Sequence, residues 1–173
     1  MKTLSIINLK GGVAKTISAV TMAYILSAEK GYRVLLVDND KQGNASKMLD
    51  RHSYSHKGIE TLMTERLPVM AAVIQHTDYD NLDIITANME LIKANLTVQL
   101  DQQRPQQNRI KKALDRIQWN YDICIIDNAP DINISTVNAL AASDYVMIPV
   151  TIDDFALDGL SALAEQIENT RED

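Results

Sequence analysis

Seven consecutive residues near the start of the chain, positions 10–16, read Lys-Gly-Gly-Val-Ala-Lys-Thr. Backbone N–H groups in a loop that opens a helix form a ready anion site, and Gly11 and Gly12 let that backbone approach phosphate oxygens without a Cβ in the way. Lys15 would place its charge on the β- and γ-phosphates of a nucleotide, and the Thr16 hydroxyl would ligate Mg²⁺. The predicted phosphate contacts extend to Ile17, the residue after the loop. They are Lys10, Gly11, Gly12, Val13, Ala14, Lys15, Thr16 and Ile17.

The segments on either side of this loop fit the same interpretation. An apolar run at 4–9 has the character of a short buried strand, and 17–30 has the length of a helix with an apolar side. Strand, glycine-containing loop, Lys-Thr and helix follow one another as in a P-loop. Leu9 and Ala14 stand where the usual pattern G-x-x-x-x-G-K-[ST] has glycines. A polar turn that carries two lysines by chance is the alternative, and the flanking segments disfavour it.

Two further segments place carboxylates directly after apolar runs. Asp38 and Asp40 follow the run at 33–37, and residues i and i+2 of an extended segment point the same way, so both can face one site. One carboxylate can hold a metal-bound water while the other orients an attacking water, because Mg²⁺ prefers hard oxygen ligands and keeps several waters. The alternative interpretation of the segment with Asp38 and Asp40 is a solvated acidic loop. Asp127 ends a second apolar run, at 123–126, in the manner of a Walker B strand.

Strand-like and helix-like segments alternate along the whole chain. Strands are predicted at 4–9, 33–38, 82–86, 121–127 and 145–150, and helices at 17–30, 45–49, 59–65, 68–75, 89–103, 106–119, 133–143 and 157–169. Pro68 is well placed at a helix start, and the helix at 89–103 is predicted to have an apolar stripe formed by Leu91, Ile92, Leu96 and Leu100. Continuous apolar runs are typical of parallel strands that are buried on both faces. Five such strands joined by helical crossovers predict an α/β fold with a doubly wound, mostly parallel sheet. Ligands of such sheets bind beyond the carboxyl ends of the strands, where the loop and the acids are expected.

The chain has 173 residues and a net charge of −6, which fit one globular domain over 1–173 and argue against a globally basic nucleic-acid binder. A local basic patch is still compatible with this charge. One basic cluster lies on the predicted helix at 106–119, opposite its apolar stripe, and it consists of Arg109, Lys111, Lys112 and Arg116. We favour an ordinary solvated helix face for this cluster, with contact to DNA phosphates as the alternative.

The single cysteine, Cys124, lies in an apolar run and cannot form a disulfide within the chain, which fits a reducing compartment. The first predicted strand begins so close to residue 1 that no signal peptide is expected. No apolar run approaches the ~18–20 residues that span a bilayer. We therefore expect a cytoplasmic protein with no membrane attachment.

The position of Lys10, the first lysine of the loop, makes the loop similar to that of a known family. Residues 10–16 resemble the deviant Walker A loop of the ParA/MinD superfamily of dimerising ATPases, in which the early lysine is a signature. Residues 38–44 are similar to the family's Asp-x-Asp-Pro-Gln-Gly-Asn segment, with Lys41 in place of Pro. Residues 127–130, Asp-Asn-Ala-Pro, resemble its Asp-Thr/Cys-Pro-Pro switch, with the two middle residues departing. The resemblance covers nearly the whole chain, since two more segments match, 81–88 and 148–160.

This resemblance implies a P-loop NTPase that hydrolyses ATP with Mg²⁺, closest to the ParA/Soj-type proteins of plasmid or chromosome partition. Two ATP-bound protomers would close face to face as a homodimer, and Lys10 would reach the phosphates of the partner. Thr16, Asp38 and Asp127 would hold the metal. Asp40 would orient the water that attacks the γ-phosphate, so the implied catalytic residues are Lys10, Lys15 and Asp40.

The resemblance also implies nonspecific DNA binding by the dimer, a stimulating ParB-like partner, and association with the nucleoid if DNA binding holds. Family members usually continue with another strand, an adenine-contacting loop and C-terminal helices. The 173 residues are expected to lack this C-terminal strand and these helices, so we expect an incomplete purine pocket and weak turnover. Two alternatives remain. A MinD-like positioning ATPase needs a C-terminal amphipathic helix, and a truncated regulatory paralogue would bind partners without turning over ATP.

Overall fold

The computed structural model describes residues 1–151 and 160–172, and six β-strands lie within these ranges. They are β1 (Lys2–Ile6), β2 (Val34–Asn39), β3 (Ile74–His76), β4 (Leu82–Ile85), β5 (Ile123–Asn128) and β6 (Tyr145–Met147). The strands form one sheet in the order β3-β4-β2-β5-β1-β6, in which every neighbouring pair is parallel except β3 and β4. This arrangement confirms the predicted doubly wound, mostly parallel α/β fold.

Helices connect the strands and cover both faces of the sheet. They are α1 (Lys15–Tyr24), α2 (Asn44–Met48), α3 (Ile59–Thr64), α4 (Glu90–Leu100), α5 (Arg109–Asp115), α6 (Ile134–Ala141) and α7 (Leu160–Glu172). A π-helical turn, Ile25–Glu29, continues α1. The start of the predicted helix 157–169 lies outside the described residues, as does most of the matching segment 148–160. No helix in the described part of the chain is long and apolar enough to cross a membrane.

Alternate residues of β2 enter two separate apolar cores. Leu35 and Val37 face the core shared with α3, α4, α5 and α6, whereas Val34 and Leu36 face the core shared with α1. All four side chains are fully buried, which explains why this strand is continuously apolar in sequence. The same alternation sends the next residue, Asp38, to the α1 side of the sheet.

The edge strand β3 was not predicted. A helix was expected at 68–75, but only a short 3₁₀ turn, Met70–Ala72, forms there. Ile74–His76 then pairs antiparallel with β4, with Ile74 opposite Ile85. Val73 and Ile74 are β-branched and favour extended backbone, and Val73 is completely buried in the core. Burial of these side chains against the sheet outweighs the local helix signal given by Pro68.

Helix α4 turns a different face to the core than predicted. Of the predicted stripe only Leu91 is buried, while the other three residues are exposed, namely Ile92, Leu96 and Leu100. The core face is formed instead by Leu91, Ala94 and Val98. The small Ala94 lets α4 approach its neighbours α3 and α6 closely, which a leucine there would prevent. Local periodicity identified the helix but not its rotation.

Candidate functional site

The loop between β1 and α1 presents its backbone at the carboxyl end of the sheet. Strand β1 ends at Ile6, three residues before its predicted end, and α1 begins at Lys15, two residues before its predicted start. The first helical turn therefore contains both Lys15 and Thr16, as a phosphate-binding helix N-terminus requires. Gly12 and Ala14 both have left-handed backbone, with φ of 76° and 64°. Ala14 stands where the usual loop has its second glycine, so the positive φ is retained even though the glycine is not.

Lys15 is a largely buried cation that is held by the loop itself. Its ammonium donates to the Lys10 carbonyl at 3.0 Å, and only 7% of the residue is exposed. Burial lowers the pKa of Lys15, while the charges of Asp127 and Asp40 act in the opposite direction. A buried lysine beside two carboxylates is positioned to exchange its carbonyl contact for a stronger anionic partner.

Asp38 and Asp127 lie side by side because β2 and β5 place them in register. Asp38 is fully buried and accepts three hydrogen bonds, from the Asp40 amide at 3.1 Å and from the Ser46 amide and hydroxyl at 2.9 and 2.7 Å. Burial raises its pKa to about 6, against the effect of the Ser46 bonds. These contacts make Asp38 the anchor of the loop that follows β2.

Asp127 is buried without such support. It is 1% exposed, and neither carboxylate oxygen has a hydrogen-bond partner among the described residues. Burial and the nearby charge of Asp38 raise its pKa to about 7, and the nearby hydroxyl of Thr16 opposes the shift. Two unpaired oxygens in a buried position cost free energy, so this carboxylate is suited to a cation or to metal-bound water.

The predicted third acid, Asp40, faces the cleft from the loop after β2. Its Oδ1 accepts from the Gln42 amide at 2.9 Å, and its carbonyl accepts from the Gly43 amide at 2.8 Å. Gly43 has a φ of 63° and opens α2, so the backbone of this loop is fixed at both ends. The carboxylate of Asp40 is therefore held at the wall of the cleft by its own turn.

These segments enclose an open cleft of about 500 Å³. Its walls come from the P-loop, from the Asp40 loop and from the turn after β5. Lys41 lies at the position of the family's Pro, and its ammonium approaches a carboxylate oxygen of Asp131 at 3.2 Å. This half-exposed ion pair joins the two loops that follow β2 and β5.

Lys10, the early lysine, is attached to the segment after β6. Its backbone amide donates to Asn8 Oδ1 at 2.9 Å, and the Asn8 side-chain Nδ2 donates to the Pro149 carbonyl at 2.8 Å. Its ammonium donates to the Thr151 hydroxyl at 3.3 Å. Sequence reasoning missed Asn8 and Thr151. The signal for Asn8 was its amide side chain at the end of an otherwise apolar run.

A layer of asparagines beneath the acids was also missed. Asn39 donates to Asn128 Oδ1 at 2.9 Å and to the Ser135 carbonyl at 3.2 Å. Asn128 in turn donates to the Ile6 carbonyl at 3.2 Å. The ends of β1, β2 and β5 are thereby joined to the start of α6. Asn128, which departs from the family's Thr/Cys, thus has a structural partner in Asn39.

The donor set fits Mg²⁺ rather than a softer metal. The unpaired oxygens of Asp127 and the hydroxyl of Thr16 are hard ligands. Within the described residues, no group of three or more His, Cys, Asp or Glu side chains comes together to hold a metal ion. Mg²⁺ commonly keeps several waters and uses one or two protein oxygens plus substrate phosphates, and this site offers that combination. The metal roles of Thr16, Asp38 and Asp127 stay predictions, and the oxygens of Asp38 already accept three bonds.

The fold and the loop define a P-loop type of nucleotide-binding domain, and a family comparison agrees. A family profile described as "AAA domain" (AAA_31) matches residues 1–173, and the chain belongs to this family.

Within it, the resemblance to the ParA/Soj-type proteins is confirmed. The Bacillus subtilis sporulation initiation inhibitor protein Soj is 38% identical over 167 residues, 96% of this chain and 64% of that protein. The Caulobacter vibrioides chromosome partitioning protein ParA is 38% identical over 175 residues, 99% of this chain and 64% of that protein. The chain therefore spans less than two thirds of the length of these relatives.

A solved structure supports the same fold with a ligand in place. The cobyrinic acid a,c-diamide synthase of Mycobacterium smegmatis, determined with a bound ATP analogue and magnesium, matches with a TM-score of 0.89 at 28% identity. The match covers 99% of this chain and 67% of that protein. ATP and Mg²⁺ are thus ligands of a structural neighbour of this domain.

Proposed function

We propose that the protein is an ATP-dependent, dimerising ATPase of the ParA type that acts in plasmid or chromosome partitioning. The observation that carries the proposal is the unpaired, buried carboxylate of Asp127 beneath the P-loop, next to the cation of Lys15. A buried carboxylate that accepts no hydrogen bond within the described part of the chain and a buried lysine held by a carbonyl are both better satisfied with a magnesium nucleotide bound. The ParA and Soj relatives give the biological context.

Each residue of the site has a proposed task. The amides of the P-loop bind the phosphates, and Lys15 transfers its hydrogen bond from the Lys10 carbonyl to the β- and γ-phosphates. Thr16, Asp38 and Asp127 hold Mg²⁺ directly or through water. When bound, this ion neutralises the phosphate charge that develops during transfer. Asp40 orients the attacking water from the cleft wall.

Lys10 is proposed to act across a homodimer. Its ammonium lies near the Thr151 hydroxyl, at the rim of the site, and would reach the phosphates of the second protomer when two copies close over their nucleotides. A cation supplied in trans contributes on the order of 10³–10⁵ in rate, which is roughly 4–7 kcal/mol of barrier. Hydrolysis would then open the dimer.

The proposed partners are those that the family resemblance implies. The ATP-bound dimer would bind DNA nonspecifically in the cytoplasm, and a ParB-like protein would stimulate hydrolysis. A MinD-like positioning ATPase and a non-catalytic regulatory paralogue are the alternatives. The second is favoured by Ala14 and Lys41, because Ala14 replaces the second glycine of the usual phosphate loop and Lys41 replaces the Pro of the family's Asp-x-Asp-Pro segment.

The deciding experiment measures ATP binding, turnover and mass by light scattering in three single-alanine variants. Lys15→Ala should lose nucleotide binding, and Lys10→Ala should keep binding but lose hydrolysis and the ATP-dependent dimer. Lys30→Ala removes the same charge from an exposed site outside the cleft and should behave like the parent. Full ATP binding by Lys15→Ala would disprove the site, and unchanged turnover in Lys10→Ala would disprove the trans role. An ATP-bound parent that never dimerises or hydrolyses would favour the regulatory paralogue.

A further inference from the structure

A second pocket, of about 370 Å³, lies between α5, the segment after α3 and the connection from α4 to α5. It shares no lining residue with the nucleotide cleft. One of its lining residues is acidic, Glu65, which pairs with Lys57 at 2.7 Å. Five are basic, namely Arg66, Arg104, Arg109, Lys112 and Arg116. This concavity is therefore strongly cationic, although the chain has a net charge of −6.

The inner wall of this pocket is rigid because Arg109 is built into the core. Arg109 was predicted to lie on an exposed basic face, but it is 7% exposed. Its guanidinium donates to the Met63 carbonyl at 2.9 Å, to the Pro105 carbonyl at 3.1 Å and to Asp101 Oδ2 at 2.8 Å. Every nitrogen of this guanidinium is therefore engaged, and its role is to shape the pocket.

Asp101 forms ion pairs with two arginines, Arg104 and Arg109. Its Oδ2 accepts from Arg104 Nε at 2.9 Å as well as from Arg109. The hydrogen bonds from Arg104 and from the Gln103 amide are the main causes that lower the pKa of Asp101 to about 2. Arg104 also donates to the Thr64 carbonyl at 2.9 Å. One carboxylate thus compensates two guanidinium groups, which leaves positive charge at this wall.

Three more cations surround the mouth of the pocket. Arg116 is held by a 2.8 Å bond from one guanidinium nitrogen to the Pro68 carbonyl. Within residues 1–151 and 160–172, no hydrogen bond or ion pair engages the side chains of Arg66 and Lys112. Guanidinium groups match phosphate oxygens in pairs of parallel hydrogen bonds, and a lysine adds a point charge. Leu67, Pro68 and Pro105 supply apolar wall for an organic part of the ligand.

We propose that this pocket binds a small, multiply phosphorylated organic molecule, independently of the nucleotide at the P-loop. The volume lies in the usual range for small-molecule sites, about 300–1,000 Å³. The cations converge on a concavity. Contact with a duplex backbone would instead need cations that extend along a surface. A compact anion sits within a Debye length of about 8–10 Å of these charges, and it avoids the repulsion that a long polyanion meets from the acidic remainder of the chain.

The test uses fructose 1,6-bisphosphate and inorganic pyrophosphate as probes, in a Lys15→Ala background that removes phosphate binding at the P-loop. Calorimetry should show one site, and NMR amide shifts should map to 65–68 and 103–116. Lys112→Glu should weaken binding at least about tenfold, the expected cost of one lost charge-assisted bond and an added repulsion. Lys111→Glu is the matched control, because Lys111 is the neighbour of Lys112 in the chain but does not line this pocket. This substitution should change the affinity for the probes less than about twofold.

Several outcomes would overturn the proposal. They are no binding of either probe, shifts confined to the P-loop, and equal weakening by Lys112→Glu and Lys111→Glu. Duplex DNA that shifts the same amides while both small probes fail would assign the surface to nucleic acid instead. Thermal melting of both variants checks that the exposed substitutions leave the fold intact. Since the background lacks Lys15, this result is separate from the success or failure of the proposed ATPase.

Discussion

Asp38 and Asp127 are register partners on adjacent strands, yet of these two carboxylates only that of Asp38 accepts hydrogen bonds within the described part of the chain. Asp38 accepts three hydrogen bonds, whereas neither oxygen of Asp127 has a partner among the described residues. Both are buried. A difference in hydrogen bonding between two equally buried acids separates an anchoring role from a ligand-binding role.

The same substitution should therefore have opposite effects at the two positions. Asp127→Asn should raise the free energy of unfolding without nucleotide by roughly 1–3 kcal/mol at pH 8, because it removes a buried charge that accepts no hydrogen bond from the described residues. Asp38→Asn should lower it by roughly 1–3 kcal/mol, because an amide nitrogen then faces backbone and hydroxyl donors. Urea unfolding measures both. Destabilisation by both variants would contradict the assignment of Asp127 as the unsatisfied group.

The raised pKa values predict a pH dependence of stability. The folded protein holds a proton on Asp127 up to a pKa of about 7, against 3.8 in the unfolded chain. Stability is therefore highest below the unfolded value and falls as pH rises from about 4 to about 7, by about 1.4 kcal/mol for each unit of pKa difference. Asp38, with a pKa of about 6, adds to the same fall.

Urea unfolding across this window, without nucleotide, is the measurement. Asp127→Asn should flatten the fall, since it removes one proton site and the charge that faces Asp38. Asp101 and Asp122 have pKa values lowered to about 2 and titrate below the window. A stability that rises between about pH 4 and 7 would contradict the prediction. Saturating magnesium nucleotide should weaken the fall, because the bound cation stabilises the ionised carboxylates.

Ala14→Gly should stabilise the apo protein by about 0.5–1 kcal/mol. The left-handed conformation costs a residue with a Cβ about 1–2 kcal/mol, and the added freedom of glycine in the unfolded chain offsets part of the gain. Ala28→Gly is the control. Ala28 is exposed and lies in the π-helical turn, so glycine there should cost about 0.5–1 kcal/mol. Thermal and urea unfolding of both variants check the sign of each change.

Gly11→Ala should separate folding from ligand binding. A Cβ at Gly11 meets no described atom within 4 Å, so the free energy of unfolding should change by less than about 0.5 kcal/mol. The same Cβ would occupy the space through which phosphate approaches the backbone, and ATP affinity should fall at least about tenfold, or 1.4 kcal/mol.

Gly58→Ala is the contrasting variant. A Cβ at Gly58 would collide with the Thr86 carbonyl oxygen and lie 2.8 Å from Glu60 Oε2, so it should destabilise the fold by about 1–3 kcal/mol. The ATP affinity of the molecules that remain folded should stay near that of the parent. If Gly11→Ala binds ATP like the parent, the backbone of this loop is not the phosphate site.

The sequence by itself determined the parallel α/β fold, the P-loop and the carboxylates at the strand ends. These features are local, since a continuous apolar run predicts a doubly buried strand and a glycine-lysine loop before a helix predicts an anion site. The register that places Asp38 beside Asp127 is not local, because it depends on β2 and β5 being neighbours although they are far apart in the chain.

Only the tertiary structure decided how each candidate side chain is satisfied. Arg109 and Lys112 lie three residues apart on one helix and both line the same pocket, yet the guanidinium of Arg109 is buried and fully hydrogen-bonded, whereas Lys112 is exposed. Periodicity placed α4 but not the side it turns to the core. Burial and hydrogen-bond partners depend on which distant segments pack together, and the free energy of that packing outweighs the local preferences that a sequence pattern records.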